Sequence, residues 1–139
     1  MGARREGREL ALQALYQLDL TGEGLPVFWT HFDAREEVQA FARELVDGVR
    51  AQQERIDALI AESTEHWRLP RLSRVDLSLL RLGVFELLAR PEIPASVTIN
   101  EAIEIARRFG SEESAAFVNG VLDHIAGVLG VKDRARRAE

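Results

Sequence analysis

Three arginines fall within five positions near the start of the chain: Arg4, Arg5 and Arg8 in "MGARREGREL". A guanidinium is a permanent cation. Its fork of N–H donors fits phosphate oxygens, and its plane stacks on a base. Placed at the start of a helix, the three make a candidate phosphate-contacting edge for RNA. Glu6 interrupts the run and no lysine precedes it. Tyr16 lies two helical turns beyond Arg8, where its ring can either stack on an unpaired base or sit half-buried in a core. A second basic cluster, Lys132, Arg134, Arg136 and Arg137, comes near the end of the sequence. The body between is acidic, and 18 Lys+Arg against 23 Asp+Glu give a net charge of -5. That balance argues against a general nucleic-acid coat, which works by neutralising phosphates. It allows a local RNA site on an acidic protein.

Enzymatic chemistry finds few residues to use. Cysteine is absent, so disulfides and thiolate nucleophiles are excluded. His31, His66 and His124 are far apart and lack metal-ligand spacing. No glycine-rich phosphate loop or calcium loop is present. Neither an enzyme activity nor a cofactor or metal is expected. No apolar run reaches the roughly 20 residues needed to cross a bilayer. The N-terminus has no signal-peptide core. A soluble cytoplasmic protein is the expectation.

The elements that must position these residues all read as helices. In "REGRELALQALYQLDL" the stripe Leu10, Ala14 and Leu18, with Ala11 and Leu15 beside it, has helical spacing. Thr21, Gly22 and Gly24 end it, and Pro26 can open a short helix. Val38, Phe41, Leu45, Val49, Ile56, Leu59 and Ile60 predict one long helix over 34–63, weakened at Gly48. Pro70 punctuates the connection that follows. "SRVDLSLLRLGVFELLAR" is apolar almost all round and reads as the central helix. Thr98 and Glu101 have capping-box spacing, with Ser96 as a rival start, and Gly110 suits a C-terminal cap. Ser111 caps a last helix whose first turn holds Glu112 and Glu113. That helix contains Asn119-Gly120, a hairpin signal elsewhere. "SEESAA" makes a poor strand arm, so helix wins. Phe117, Val121, His124 and Val128 form its expected stripe, flanked by Val118, Leu122, Ile125 and Leu129, and Gly120 is expected to admit a neighbouring helix. The fold class is all-α, a compact domain of about six or seven helices. Leu79, Leu82, Phe85, Phe109, Val118 and Val121 are expected in or near the core.

Four segments then carry a resemblance: "LALQALYQLD", "LLRLGVFEL", "INEAIEIARRFG" and "FVNGVLD". Their order and wording resemble the NusB family of bacterial transcription antitermination factors. The resemblance implies two roughly perpendicular helical subdomains, at about 4–66 and 71–130, before a basic tail at 131–139. It implies a protein that pairs with ribosomal protein NusE, binds boxA RNA and helps RNA polymerase read through terminators in an antitermination complex. It assigns the RNA contacts to Arg4, Arg5 and Arg8, and adds Glu113 and Phe117 on the last helix. It places Asp76 on the face towards NusE, where an acidic residue suits a basic partner. Asn100 and Glu101 of "INEAIE" read as structural caps.

Two readings from other classes compete. A protein-binding helical adaptor or homodimer without direct RNA binding fits the interrupted arginine run. A helix-turn-helix DNA-binding protein needs a basic recognition helix, and "SRVDLSLLRLGVFELL" is too apolar for one.

Overall fold

The computed structural model describes residues 2–21, 28–30, 34–64 and 72–132. The expectations for Gly22, Gly24, Pro26, His31, His66, Pro70, Arg134, Arg136 and Arg137 lie outside the described residues. Six helices run in order: α1 (Ala3–Thr21), α2 (Glu36–Ala51), α3 (Gln53–Ser63), α4 (Arg74–Ala89), α5 (Ala95–Phe109) and α6 (Glu112–Leu129). Residues 28–30 form a further helical turn, and no strand occurs among the described residues.

Helix α4 is the axle. Ten of its residues are buried, from Leu77 to Leu87, and it packs against all five other helices. A helix with apolar residues on every face has no solvent side to present, so the others must surround it. Helix α1 lies mainly along α2, and α5 along α6, with α4 touching both pairs. Leu79, Leu82, Phe85, Val118 and Val121 are buried as expected. Phe109 is not: it ends α5 with 38% of its surface exposed and the Arg108 guanidinium 5.4 Å from its ring centre.

Two glycines are required by close approach. A Cβ at Gly48 would overlap three atoms of the Phe85 ring, the farthest, Cε2, at 2.8 Å. A Cβ at Gly83 would meet both Leu122 methyls, at 2.8 and 2.9 Å. Gly48 therefore seats a ring from α4 rather than bending the 34–63 segment. The break falls at Gln52, whose N–H donates to the carbonyls of Gly48 and Val49. Gly120 is the opposite case, since a Cβ there would meet nothing within 4 Å. Helix α6 is continuous through Asn119-Gly120, but it buries Val118, Val121, Leu122 and Ile125 and turns His124 and Val128 outward. The buried face is therefore centred on the expected flank of Val118, Leu122 and Ile125, with Val121 shared and Phe117 only half-buried. The close approach to α6 is made by Gly83 on α4.

The caps explain where the site begins. Ser73 and Ser111 cap α4 and α6, their hydroxyls accepting from the N–H of Asp76 and Ser114 at 3.0 Å. Gly110 ends α5, donating to the Ala106 carbonyl at 2.8 Å, and Gly130 ends α6 in the left-handed region at φ 72°. Helix α5 starts one turn earlier than its capping-box spacing suggests, at Ala95 behind Pro94. Pro94 has the fixed φ of a helix entry and lacks the N–H that a helix start leaves unpaired. Thr98, Asn100 and Glu101 are thus interior positions and not caps. That change frees the Glu101 carboxylate for another partner.

Candidate nucleic-acid interface

The first turns of α1 pack beside α4 and, through the Arg5 and Arg8 side chains, reach Glu86 of α4 and Glu101 of α5. Arg8 sits one turn beyond Arg4 and Arg5, on the inner side of α1, and is only 5% exposed. Its Nε and Nη2 donate to the Glu86 carboxylate at 2.9 and 2.8 Å, and its Nη1 to Glu101 Oε1 at 3.4 Å. Glu86 is itself buried, so the two charges satisfy one another away from water. Arg5 meets the other side of Glu101, with Nε to Oε1 at 2.9 Å and Nη2 to Oε2 at 2.5 Å. The Arg5 guanidinium holds the Glu101 carboxyl below the usual carboxylate range, and Glu101 raises Arg5 in return.

Arg4 is exposed and makes no hydrogen bond or ion pair among the described residues. Its guanidinium lies 5.2 Å from the centre of the Phe41 ring on α2. Arg8 and Arg90 approach the same ring at 5.8 Å. Phe41 is thus an apolar block against which three cations rest. Arg90 is tied to Glu44 and, at 3.7 Å, to Glu92. Glu6, which interrupts the arginine run, points away and pairs with Arg35 at 3.4 Å. An open hollow of about 430 Å³ lies over this arrangement, lined by Gly2, Arg4, Arg5 and Arg8, by the carboxylates Glu92 and Glu101, and by Ile93, Pro94 and Val97. Cationic forks beside an apolar wall can take a phosphate and the base attached to it.

The three sequence-selected arginines are therefore brought together but are not equivalent. Arg4 offers a whole charge, Arg5 shares its charge with Glu101, and most of the Arg8 donors are spent inside the protein. Tyr16 is 38% exposed and lines a different hollow of about 420 Å³, with Leu12, Leu20, Phe28, Val75 and Phe109. Asp76 follows Val75 in the first turn of α4, and its buried Oδ1 has no hydrogen-bond partner among the described residues. Beside this groove, Asp19 lies 3.6 Å from Arg74 and 3.7 Å from Arg81, which forks onto Asp57. Glu113 is exposed in the first turn of α6, where it complements the helix dipole. Its neighbour Glu112 is the one that pairs with Arg107, at 2.9 Å. Phe117 is half-buried against the core. Neither Glu113 nor Phe117 lines the hollow of Arg4 and Arg5.

Sequence reasoning missed Glu86, Phe41 and Arg90, and it misread Glu101 as a cap. Glu86 did carry a signal. A carboxylate inside "LLRLGVFELLAR", on a helix buried all round, must find a cation, and Arg8 was available.

The architecture is that of an all-helical domain wrapped around one buried helix, with an arginine-edged hollow at one helix start and an apolar groove at another. The family model described as "NusB family" matches residues 5–127. The transcription antitermination protein NusB of Myxococcus xanthus (strain DK1622) is 51% identical over 137 residues, covering 93% of this chain and 98% of that one. The chain belongs to the NusB family. Its backbone superposes on T. maritima NusB with a TM-score of 0.82 at 40% identity, covering 89% of this chain and 90% of the other. It also matches, with a TM-score of 0.78 at 28% identity, a chain in a crystal structure of the antitermination factors NusB and NusE in complex with dsRNA. There the coverage is 92% of this chain and 98% of that chain.

Proposed function

We propose that this chain acts in the cytoplasm as a transcription antitermination factor, by binding rather than by catalysis, and that it joins boxA RNA to ribosomal protein NusE. The observation that supports the RNA site is the hollow in which an unpaired Arg4 and a half-exposed Arg5 stand beside Ile93, Pro94 and Val97. Phosphates meet Arg4 and Arg5, while Arg8 fixes α1 against α4 and α5 so that the other two point outward. NusE docks at the second groove, where Tyr16, Val75 and Phe109 supply apolar surface, and Asp76, next to Val75 in the first turn of α4 and outside the groove lining, supplies the negative charge. Glu113 and Phe117 belong to the RNA face only at its edge, since neither reaches the arginine hollow.

Fluorescence anisotropy of a labelled boxA RNA, titrated across salt with and without NusE, tests this. Arg4→Ala is expected to weaken RNA binding and to flatten log K against log salt by about 0.7, the contribution of one single-strand phosphate. Asp76→Lys is expected to weaken NusE binding while RNA alone binds no less tightly. Wild-type RNA affinity and salt slope in Arg4→Ala would turn the reading towards the protein-binding adaptor.

A further inference from the structure

Four charged side chains from three helices form one ladder: Glu86 on α4, Arg8 on α1, Glu101 on α5 and Arg5 on α1. Exposure rises along it. The side chains of Glu86 and Arg8 are 3% and 6% exposed, those of Glu101 and Arg5 20% and 31%. The inner pair is locked, because parting it would leave a charge stranded in the core. The outer pair is reached by water, so its attraction is screened and its partners can be exchanged.

The edge of Arg5 that faces Glu101, Nε with Nη2, is the edge that grips a phosphate with two parallel hydrogen bonds. A phosphate that takes this side edge competes with the Glu101 carboxylate for it, whereas the end edge is open at Nη1, which makes no hydrogen bond among the described residues. Arg4 has no such competitor among the described residues. We propose that Glu101 is a positioning residue that tunes RNA affinity by holding Arg5 in an internal ion pair with which an RNA phosphate competes. This rests on the reading of the hollow as the RNA site.

Exchange at Arg5 swaps one anion for another. Arg5 is already neutralised by Glu101 before RNA binds, and the released carboxylate leaves a negative charge beside the phosphate, so Arg5 adds little to the salt slope. Arg4 adds a full phosphate's worth. The affinity of the site is thus held below what its arginine content suggests, and its salt dependence reports one arginine rather than three.

The test is the same anisotropy titration on Glu101→Gln, which keeps the shape and one acceptor oxygen but removes the charge. RNA binding is expected to tighten roughly three- to tenfold at ~0.1 M salt, with a slope steeper by about 0.7. Glu101→Asp, which keeps the charge, is expected to stay near the wild-type slope. On an Arg5→Ala background, Glu101→Gln is expected to lose its effect on the slope, which a merely structural role would not produce. NusE affinity at the wild-type level certifies that each variant is folded. Unchanged or weaker RNA binding by folded Glu101→Gln overturns the proposal. Should that variant not fold, Arg5→Ala decides: the proposal expects its slope within about 0.2 of wild type, and a loss near 0.7 overturns it. If Arg4→Ala also binds RNA as wild type does, the site reading itself has failed, and the two failures are told apart.

Discussion

Replacing Gly48 by Ala is the sharpest probe of the core, because two effects predict opposite signs. Gly48 lies inside α2, where helix propensity alone makes Ala more stable by about 1 kcal/mol. The structure puts the new methyl inside the Phe85 ring, with even the farthest of three ring atoms at 2.8 Å. Carbon atoms in good contact stand about 3.5–4.0 Å apart. The ring would have to withdraw by an ångström or more. Phe85 is only 6% exposed, and α4 is surrounded by helices, so no free space receives it. Overpacking of this kind costs about 1–3 kcal/mol. Because the overlap involves most of one ring edge, the upper half of that range applies. The net expectation is a destabilisation of ~1–2 kcal/mol, or a Tm lower by roughly 4–8 °C for a domain of this size. Urea denaturation followed by far-UV circular dichroism measures it, with the m-value as a check that the transition stays two-state. The pair Gly48→Ala with Phe85→Leu adds a cycle: on the smaller side chain the alanine should cost much less. A stabilised Gly48→Ala, by the amount helix propensity supplies, would refute the claim that this glycine exists to seat Phe85.

Two further expectations concern the core and the ion-pair ladder. Phe85→Ala should cost about 3–5 kcal/mol through the cavity it leaves, whereas Phe109→Ala, at the rim of the groove, should cost less than half of that by the same denaturation assay. Glu101 is held below its unfolded value, about 4.3, by the hydrogen-bonded Arg5. The ion pair therefore stabilises fully above that value and loses its contribution as pH falls through the lower folded value. Urea midpoints of wild type and Glu101→Gln should differ at neutral pH and converge on acidification below about pH 4. A gap that stays constant with pH would remove the charge of Glu101 from the stability of the fold.

The helical class, the central place of α4 and the serine cap at 111 were all legible in the sequence. Each rests on local physics: the 3.6-residue repeat, an apolar segment with no polar side, a hydroxyl ahead of a helix start. Asn119-Gly120 was read correctly as helix for the same reason, since its flanks could not form strand arms. The family motifs were also visible in the bare sequence, because four segments spread over the chain carried them in order.

What the sequence alone could not decide was which residues meet across helices. The centre of the buried face of α6 was not decided by the sequence, because Phe117 and Val118 are both apolar; in the fold Leu122 meets Gly83 of α4, and Val118 rather than Phe117 is fully buried. Thr98 and Glu101 had cap spacing, but Pro94 moved the start of α5 and left Glu101 in the interior of the helix, facing α1. The arginines show the difference most clearly. Composition fixed the presence of three cations at one helix start, and their common helix fixed their spacing. The charge each can offer to RNA depends on carboxylates 78 to 96 residues away, Glu86 and Glu101. Ion pairing is set by distance in space, and the chain brings those groups together only when α1 crosses α4 and α5.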